Sequence, residues 1–295
     1  MESNNKRSGP FWTLNLLSSA AIATATIMYP VDVLRALKMA NETLGAFVKS
    51  HGIKGLFSQG VAAEIGRASM MRVSKFFFFP RICNAFYGKD VKRCNPVEKA
   101  IAGIFSAVPE ILVISPFEVA KVGLQLDEKN HYKNSISAFI RARVSKSGVS
   151  SIYHGWAGMQ YRQCSWTAVY FSTLSLYREK STSLCTQIGI PQFGNLLGGF
   201  MAGMSGVIFN CPGDVVRTVV QKKGFANTNQ TEKLPGIGLA SISEHIREAK
   251  SIFKKNPRGL YAGFGVKCFH LGFSGALMSA LIPVFRDFMD VEYEI

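Results

Sequence analysis

The stretch Pro30-Val31-Asp32-Val33-Leu34-Arg35 recurs as Pro116-Phe117-Glu118-Val119-Ala120-Lys121 and again as Pro212-Gly213-Asp214-Val215-Val216-Arg217, at spacings of 86 and 96 residues. Each copy is a proline, an acid two residues on, and a base three further. One copy is a weak signal, because Pro-x-acid-x-x-base arises by chance. Three copies, each ending an apolar run and each followed by a loop, a short amphipathic stretch, a Gly-containing turn and a second apolar run, mark a tripled chain.

Apolar segments lie near Phe11 to Met39, Val61 to Phe86, Pro96 to Leu124, Trp156 to Tyr177, Phe193 to Val220 and Ala262 to Phe288. These approach or exceed the ~20 residues that a spanning helix needs. Six spans are therefore expected, although the mean hydropathy is only +0.14. Arg67, Arg72, Lys75, Glu110, Arg162 and Lys267 fall at mid-depth. A bilayer penalises such groups unless they face a wet interior, so they mark a water-filled path. For Lys267 the expectation is different: its stem is long enough to snorkel toward the loop side.

The net charge of +15 raises the question of nucleic acid, and its distribution answers it. The loops after the three proline motifs, residues 32–60, 118–155 and 214–262, hold 19 Lys/Arg against 9 Asp/Glu; the opposite side holds 9 against 7. That asymmetry orients helical membrane proteins and attracts anionic lipid. The basic-aromatic interleaving of a nucleic-acid surface is absent, so no nucleic-acid partner is expected. Residues Met1 to Arg7 are too short and polar for a signal peptide, which predicts internal targeting.

The six cysteines, Cys83, Cys94, Cys164, Cys185, Cys211 and Cys268, show neither Cys-x-x-Cys nor a Cys/His metal spacing and read as small apolar residues. No nucleophile-base or metal constellation is present, so neither an enzyme nor a metal or cofactor is expected. Asn41-Glu42-Thr43 and Asn229-Gln230-Thr231 match the glycosylation pattern but carry little weight.

Each proline should bend its helix, so Pro30, Pro116 and Pro212 are predicted to kink the odd-numbered helices inward. With three copies around a pseudo-threefold axis, the acid of one helix can meet the base of the next. Asp32, Glu118 and Asp214 with Arg35, Lys121 and Arg217 are then predicted to form a ring closing the loop-rich side. Pairs lying within single helices would use the same acids and bases but give no reason for a proline at fixed offset. Gly103 and Ala107, and Gly199 and Gly203, at 13 and 9 residues before Pro116 and Pro212, are predicted to allow tight helix packing.

With these motifs the chain resembles the mitochondrial carrier family over nearly its whole length. The resemblance implies an all-α membrane protein of six transmembrane helices in three repeats, 1–91, 92–188 and 189–295, with short amphipathic matrix helices. It also implies the inner mitochondrial membrane, a matrix-side location for the ring, a monomer, and anionic lipid (cardiolipin) at the even-helix N-termini. Members of the family usually carry an aromatic-acid-x-x-base ring at the far end of the even helices. Here the positions read Phe79-Pro80-x-x-Cys83, Leu174-Ser175-x-x-Arg178 and Ile282-Pro283-x-x-Arg286, with no acid left to close that end by ion pairs.

Counting seven and eight residues from Gly60, Gly155 and Gly263 reaches Arg67-Ala68, Arg162-Gln163 and His270-Leu271, where the family places its substrate contacts. By that resemblance, Arg followed by Gln goes with keto and carboxylic acids. A guanidinium fork grips a carboxylate, and Gln163 can donate to a keto or hydroxyl oxygen. Arg72, Lys75 and Trp166 lie one to two turns further and complete the predicted site, Trp166 with helix or lipid packing as its other reading.

Several stretches resemble the 2-oxodicarboxylate branch of the family. These are Pro109 through Gln125, Arg72-Val73-Ser74-Lys75-Phe76-Phe77, Asn210 two before Pro212, and Leu271-Gly272 with Gly275-Ala276 after Lys267. Two positions depart from that branch: His270 stands where an arginine is expected, and Met39-Ala40-Asn41 leads into an unusually short first loop, more like a fungal citrate/2-oxoglutarate exchanger. A small-molecule dicarboxylate is thus the expected partner, a tricarboxylate exchanger the alternative, and a transport-inactive adaptor the reading that the missing far-end ring would favour.

Overall fold

The computed structural model describes residues 9–127, 130–190, 193–226 and 234–291. The first glycosylation pattern falls in an ordinary turn, where Thr43 caps the next helix; the second, and Met1 to Arg7, lie outside the described residues. Among those residues the chain is helical, with eleven α-helices. The long ones are α1 (Pro10–Ile27) with α2 (Tyr29–Met39), α5 (Val61–Tyr87), α6 (Pro96–Gln125), α8 (Trp156–Gln187), α9 (Gly194–Ala226) and α11 (Phe264–Met289). The short ones, α3 (Leu44–His51), α4 (Gly55–Ser58), α7 (Ile136–Ser147) and α10 (Leu239–Lys255), all lie in the three loops after the proline motifs.

By length and apolarity alone, α6, most of α9 and the stretch from Pro257 to Met289 are long enough to cross a membrane, and α1 with α2 makes a fourth bent span. The helices α5 and α8 fall short of that measure, which physical chemistry explains: Glu64, Arg67, Arg72 and Lys75 on α5 and Arg162 on α8 lower their hydropathy.

The three prolines do not act alike. Pro30 stands at the start of α2, where the chain breaks at Met28 and the two helices diverge by 62°. The missing N–H costs nothing there, because the first turn of a helix has no internal acceptor. Pro116 and Pro212 instead lie inside α6 and α9, which continue through them as single helices. One lost hydrogen bond does not end a helix whose flanks are packed on both sides, and Ser115 next to Pro116 donates its hydroxyl to the Ile111 carbonyl at 2.6 Å.

The predicted small-residue packing holds in one helix and shifts in the other. A Cβ on Gly103 would collide with the Thr167 methyl of α8, and Ala107 is buried. Gly199 and Gly203, however, face open space. The helix α9 meets α8 through other glycines, Gly198 against the Arg178 backbone and Gly206 against the Trp166 ring. The packed face of α9 is turned from the expected one by roughly 60–100° on a helix wheel of 100° per residue.

Gly60, Gly155 and Gly263 are equivalent in space as well as in sequence. Each is in the left-handed region, with φ of 84°, 91° and 73°, and each is the residue immediately before an even helix. Their backbones lie against the next proline-motif helix: Gly60 beside Lys121 and Gln125, Gly155 beside Gln221, Gly263 beside Arg35 and Met39. A Cβ would come within 2.9 Å of Tyr29 at the first and 2.8 Å of Gln221 at the second, but no nearer than 3.4 Å at the third. The third junction is the loosest.

Candidate functional site

The three proline-motif acids are buried in one linked network of ion pairs. Asp32 is 2.6 Å from Lys121 Nζ, and Glu118 pairs with Arg217. These are two of the three predicted pairings between successive motifs. The third does not form: no ion pair joins Asp214 to Arg35. Arg35 turns to Asp32 on its own helix at 2.6 Å, and Asp214 is 2.7 Å from Lys267 Nζ on α11.

Lys267 corrects the snorkelling expectation. It is 2% exposed and donates to Asn210 as well as pairing with Asp214. A buried carboxylate one helix away outweighs the pull of the interface, since an ammonium left unpaired at that depth would cost far more than bending the stem.

The predicted contact residues Arg67 and Arg162 reach into the same network. Arg162 Nη1 lies 3.0 Å from Glu118 and 3.4 Å from Asp214. Arg67 forms a fork on Glu64, at 2.5 and 2.6 Å, and its Nε is 3.3 Å from Glu118. His270 Nε2 is 4.0 Å from Asp32, and its Nδ1 is buried with no hydrogen-bond partner. Gln163 is buried.

Arg72, Lys75 and Trp166 stand apart from these, as their spacing predicts. Lys75 Nζ is 3.9 Å from Glu110 and sits over the Trp166 ring at 5.9 Å, while Trp166 stacks on Tyr170. Arg72 points an Nη toward the Met278 sulfur at 3.6 Å.

Sequence reasoning overlooked Glu64, which is buried and bonds both Arg67 and Lys121, the latter at 2.7 Å. Its signal was available: Glu64 and Lys267 both stand four residues after a left-handed glycine, with Met159 at the equivalent place. It also overlooked Gln125 and Gln221, each one helical turn beyond its motif base. Gln125 Nε2 donates to Tyr29 Oη at 3.1 Å and to Asp32 at 3.3 Å; Gln221 Nε2 donates to the His154 carbonyl at 3.0 Å. Met39 holds that place beyond Arg35 and can donate nothing.

Charge is unbalanced across the network. Arg35, Arg67, Lys121, Arg162, Arg217 and Lys267 face Asp32, Glu64, Glu118 and Asp214, six cations against four carboxylates. Two positive charges in a buried, apolar-walled bundle call for an anion. A helical bundle with three proline-acid-base segments joined end to end around such a centre is a membrane carrier for anions in its construction.

Comparison with known proteins makes this specific. The model of the mitochondrial carrier protein family matches residues 92–183 and 190–292, and the chain belongs to that family. It is a transporter of the mitochondrial inner membrane and not an enzyme. A probable mitochondrial 2-oxodicarboxylate carrier of Dictyostelium discoideum is 24% identical, covering 92% of this chain and 89% of that protein. Mitochondrial 2-oxodicarboxylate carrier 2 of Saccharomyces cerevisiae is 26% identical, covering 91% and 92%. Mitochondrial citrate transporter D of Aspergillus niger is 25% identical, covering 92% and 90%. A mitochondrial carrier of di- or tricarboxylates is the class these likenesses support.

Proposed function

We propose that this chain exchanges 2-oxodicarboxylates, of the 2-oxoglutarate and 2-oxoadipate type, across the inner membrane by alternating access. The observation that carries the reading is the excess of two positive charges where Arg67 and Arg162 meet the acids of the proline motifs. A dianion neutralises that excess. As it enters, its carboxylates compete with Glu118 and Asp214 for the two guanidinium groups, loosening the pairs that hold Arg217 and Lys267 and so opening the matrix gate. Differential binding of this kind is what drives a conformational exchange.

The tricarboxylate alternative draws on Arg72 and Lys75, one step further along the path. Glu110 stands against it: buried beside Lys75, it already offsets one of those cations. The chain acts as a monomer in this reading. Anionic lipid such as cardiolipin docks at the N-termini of α5, α8 and α11; beside α5, Ser137 and Arg141 of α7 line a cleft of suitable chemistry.

The test is reconstitution of purified protein into liposomes loaded with unlabelled 2-oxoglutarate and challenged with labelled 2-oxoglutarate, 2-oxoadipate, malate and citrate. Uptake of the two oxodicarboxylates only against internal acid is expected. Citrate exchange that outpaces both would transfer the assignment to the tricarboxylates, and no exchange of any acid would favour the adaptor.

A further inference from the structure

At the end of the bundle opposite the proline motifs, α5 closes at Tyr87 with Gly88 in the left-handed region, and a 3-10 turn, Val91–Arg93, leads to Cys94 just before the Asn95 cap of α6. Cys83, which occupies the place of a base in the family's far-end motif, is fully buried on the last turns of α5. Cys83 and Cys94 belong with Ala102 to one apolar cluster covered by Phe79, Ile82, Tyr87 and Val91. Cys83 and Cys94 pack in this one buried cluster, and both thiols are free.

We propose that Cys83 and Cys94 are a redox modification site, a thiol pair that closes to a disulfide by exchange with an anionic low-molecular-weight disulfide such as oxidised glutathione. Cys94 is the thiol that reaches solvent first. It is the single buried residue in a connection whose neighbours Lys92, Arg93 and Asn95 are exposed, so fraying of a one-turn helix suffices to uncover it. Lys92 and Arg93 immediately precede it and are exposed, which concentrates an anionic reagent there.

The exchange balances in two displacements. The Cys94 thiolate attacks one sulfur of the incoming disulfide, forming a mixed disulfide and releasing one thiol. The Cys83 thiolate then attacks the Cys94 sulfur and releases the second thiol. Two protons leave the protein thiols and appear on the two released thiols, and the electron pair passes from the protein to the reagent. Burial in an apolar pocket holds the pair unreactive until the connection frays. In the family's orientation this end faces the intermembrane space, and the bridge fastens the end of α5 to the start of α6.

The test counts thiols and needs no knowledge of the substrate. Purified full-length protein is equilibrated with a series of reduced to oxidised glutathione ratios, quenched in acid, denatured, and alkylated with a maleimide of resolvable mass. Six alkylated cysteines under reducing conditions should fall to four under oxidising ones, and peptide mass spectrometry should find Cys83 joined to Cys94. Cys83→Ala or Cys94→Ala, which keep the pocket apolar, should each abolish the paired loss, while Cys185→Ala should leave it intact. Thermal midpoints of the reduced variants confirm that they fold. Six thiols surviving at every ratio, or a two-thiol loss that persists in Cys83→Ala, would overturn the proposal, as would glutathione adducts that never resolve to the internal bridge.

Discussion

The unequal seams of the proline-motif network lead to a measurement that separates a symmetric ring from the one observed. Consider three double-mutant cycles: Asp32→Asn with Lys121→Gln, Asp214→Asn with Arg35→Gln, and Asp214→Asn with Lys267→Gln. At 2.6 Å and an effective dielectric near 20, the first pair gains a gross Coulomb energy of about 6 kcal/mol. Desolvation of two buried ions consumes much of that, and a net coupling of about 2–4 kcal/mol remains. Asp214 and Lys267, at 2.7 Å and 2% exposure or less, should couple with about the same strength. Arg35 and Asp214 form no direct ion pair, so their cycle should show a coupling well below that of the other two.

The assay is unfolding of the detergent-solubilised protein, read as its midpoint in nine proteins including the parent. For the two coupled cycles the double variant should be little worse than the poorer single one, because the second substitution removes a group the first had already stranded. Coupling of Arg35 with Asp214 as strong as that of Asp32 with Lys121 would refute the broken third side. So would strict additivity between Asp214 and Lys267.

Four further outcomes follow from the same geometry. Arg162→Lys keeps the charge but lets one ammonium serve only part of what Nη1 bridges, so 2-oxoglutarate exchange in liposomes should fall at least about tenfold; retention of the parent rate removes Arg162 from the site. Gln163→Glu should repel dicarboxylates and raise the half-saturation concentration, and an unchanged value would leave Gln163 as packing only. Glu110→Gln frees Lys75 from its carboxylate, and the ratio of citrate to 2-oxoglutarate exchange should rise by about tenfold; a fixed ratio would show that this pair lies off the substrate path. In the loop before α8, burial pushes His154 down to about 4, against a weaker opposing pull from the Pro235 and Val220 carbonyls. The unfolded chain therefore binds a proton that the folded one refuses between pH about 6.5 and 4, so stability is full above that window and drains as pH falls, by up to about 3 kcal/mol. His154→Gln should flatten the decline in midpoint over that range, and an identical decline would assign it to other groups.

What was legible in the sequence, and what was not, follows from the range of the forces involved. Proline, glycine and apolar spacing act through local backbone geometry, so the helical segments and the three left-handed glycines could be read by counting. The reach of a long cationic stem is decided by what stands across the bundle, which no local pattern contains. Lys267 was misplaced for that reason: its carboxylate lies 53 positions away in the chain, on Asp214. Glu64 was missed because an acid three before Arg67 also describes an ordinary surface pair, and only its second bond, to Lys121, distinguishes it. The same limit applies to Gly199 and Gly203, whose spacing before Pro212 matched that of Gly103 and Ala107 while their faces did not.

The sequence also held a sign of the asymmetry that the structure displays. Met39 interrupts the series formed by Gln125 and Gln221 one turn beyond each motif base, and His270 interrupts the series formed by Arg67 and Arg162. Both exceptions fall where the third segment meets the first. There Gly263 packs most loosely and Arg35 finds no carboxylate on the neighbouring motif. Across that seam Lys222 donates to the Ala40 carbonyl at 2.9 Å and pairs with Glu42 nearer the surface, where solvent screening is strong, beside the His270–Asp32 contact at 4.0 Å and the apolar packing of Met39 with Cys211 and Val215. When an anion loosens the network, this seam should therefore part first. The first and second segments, tied by Asp32, Glu64 and Lys121, should part last.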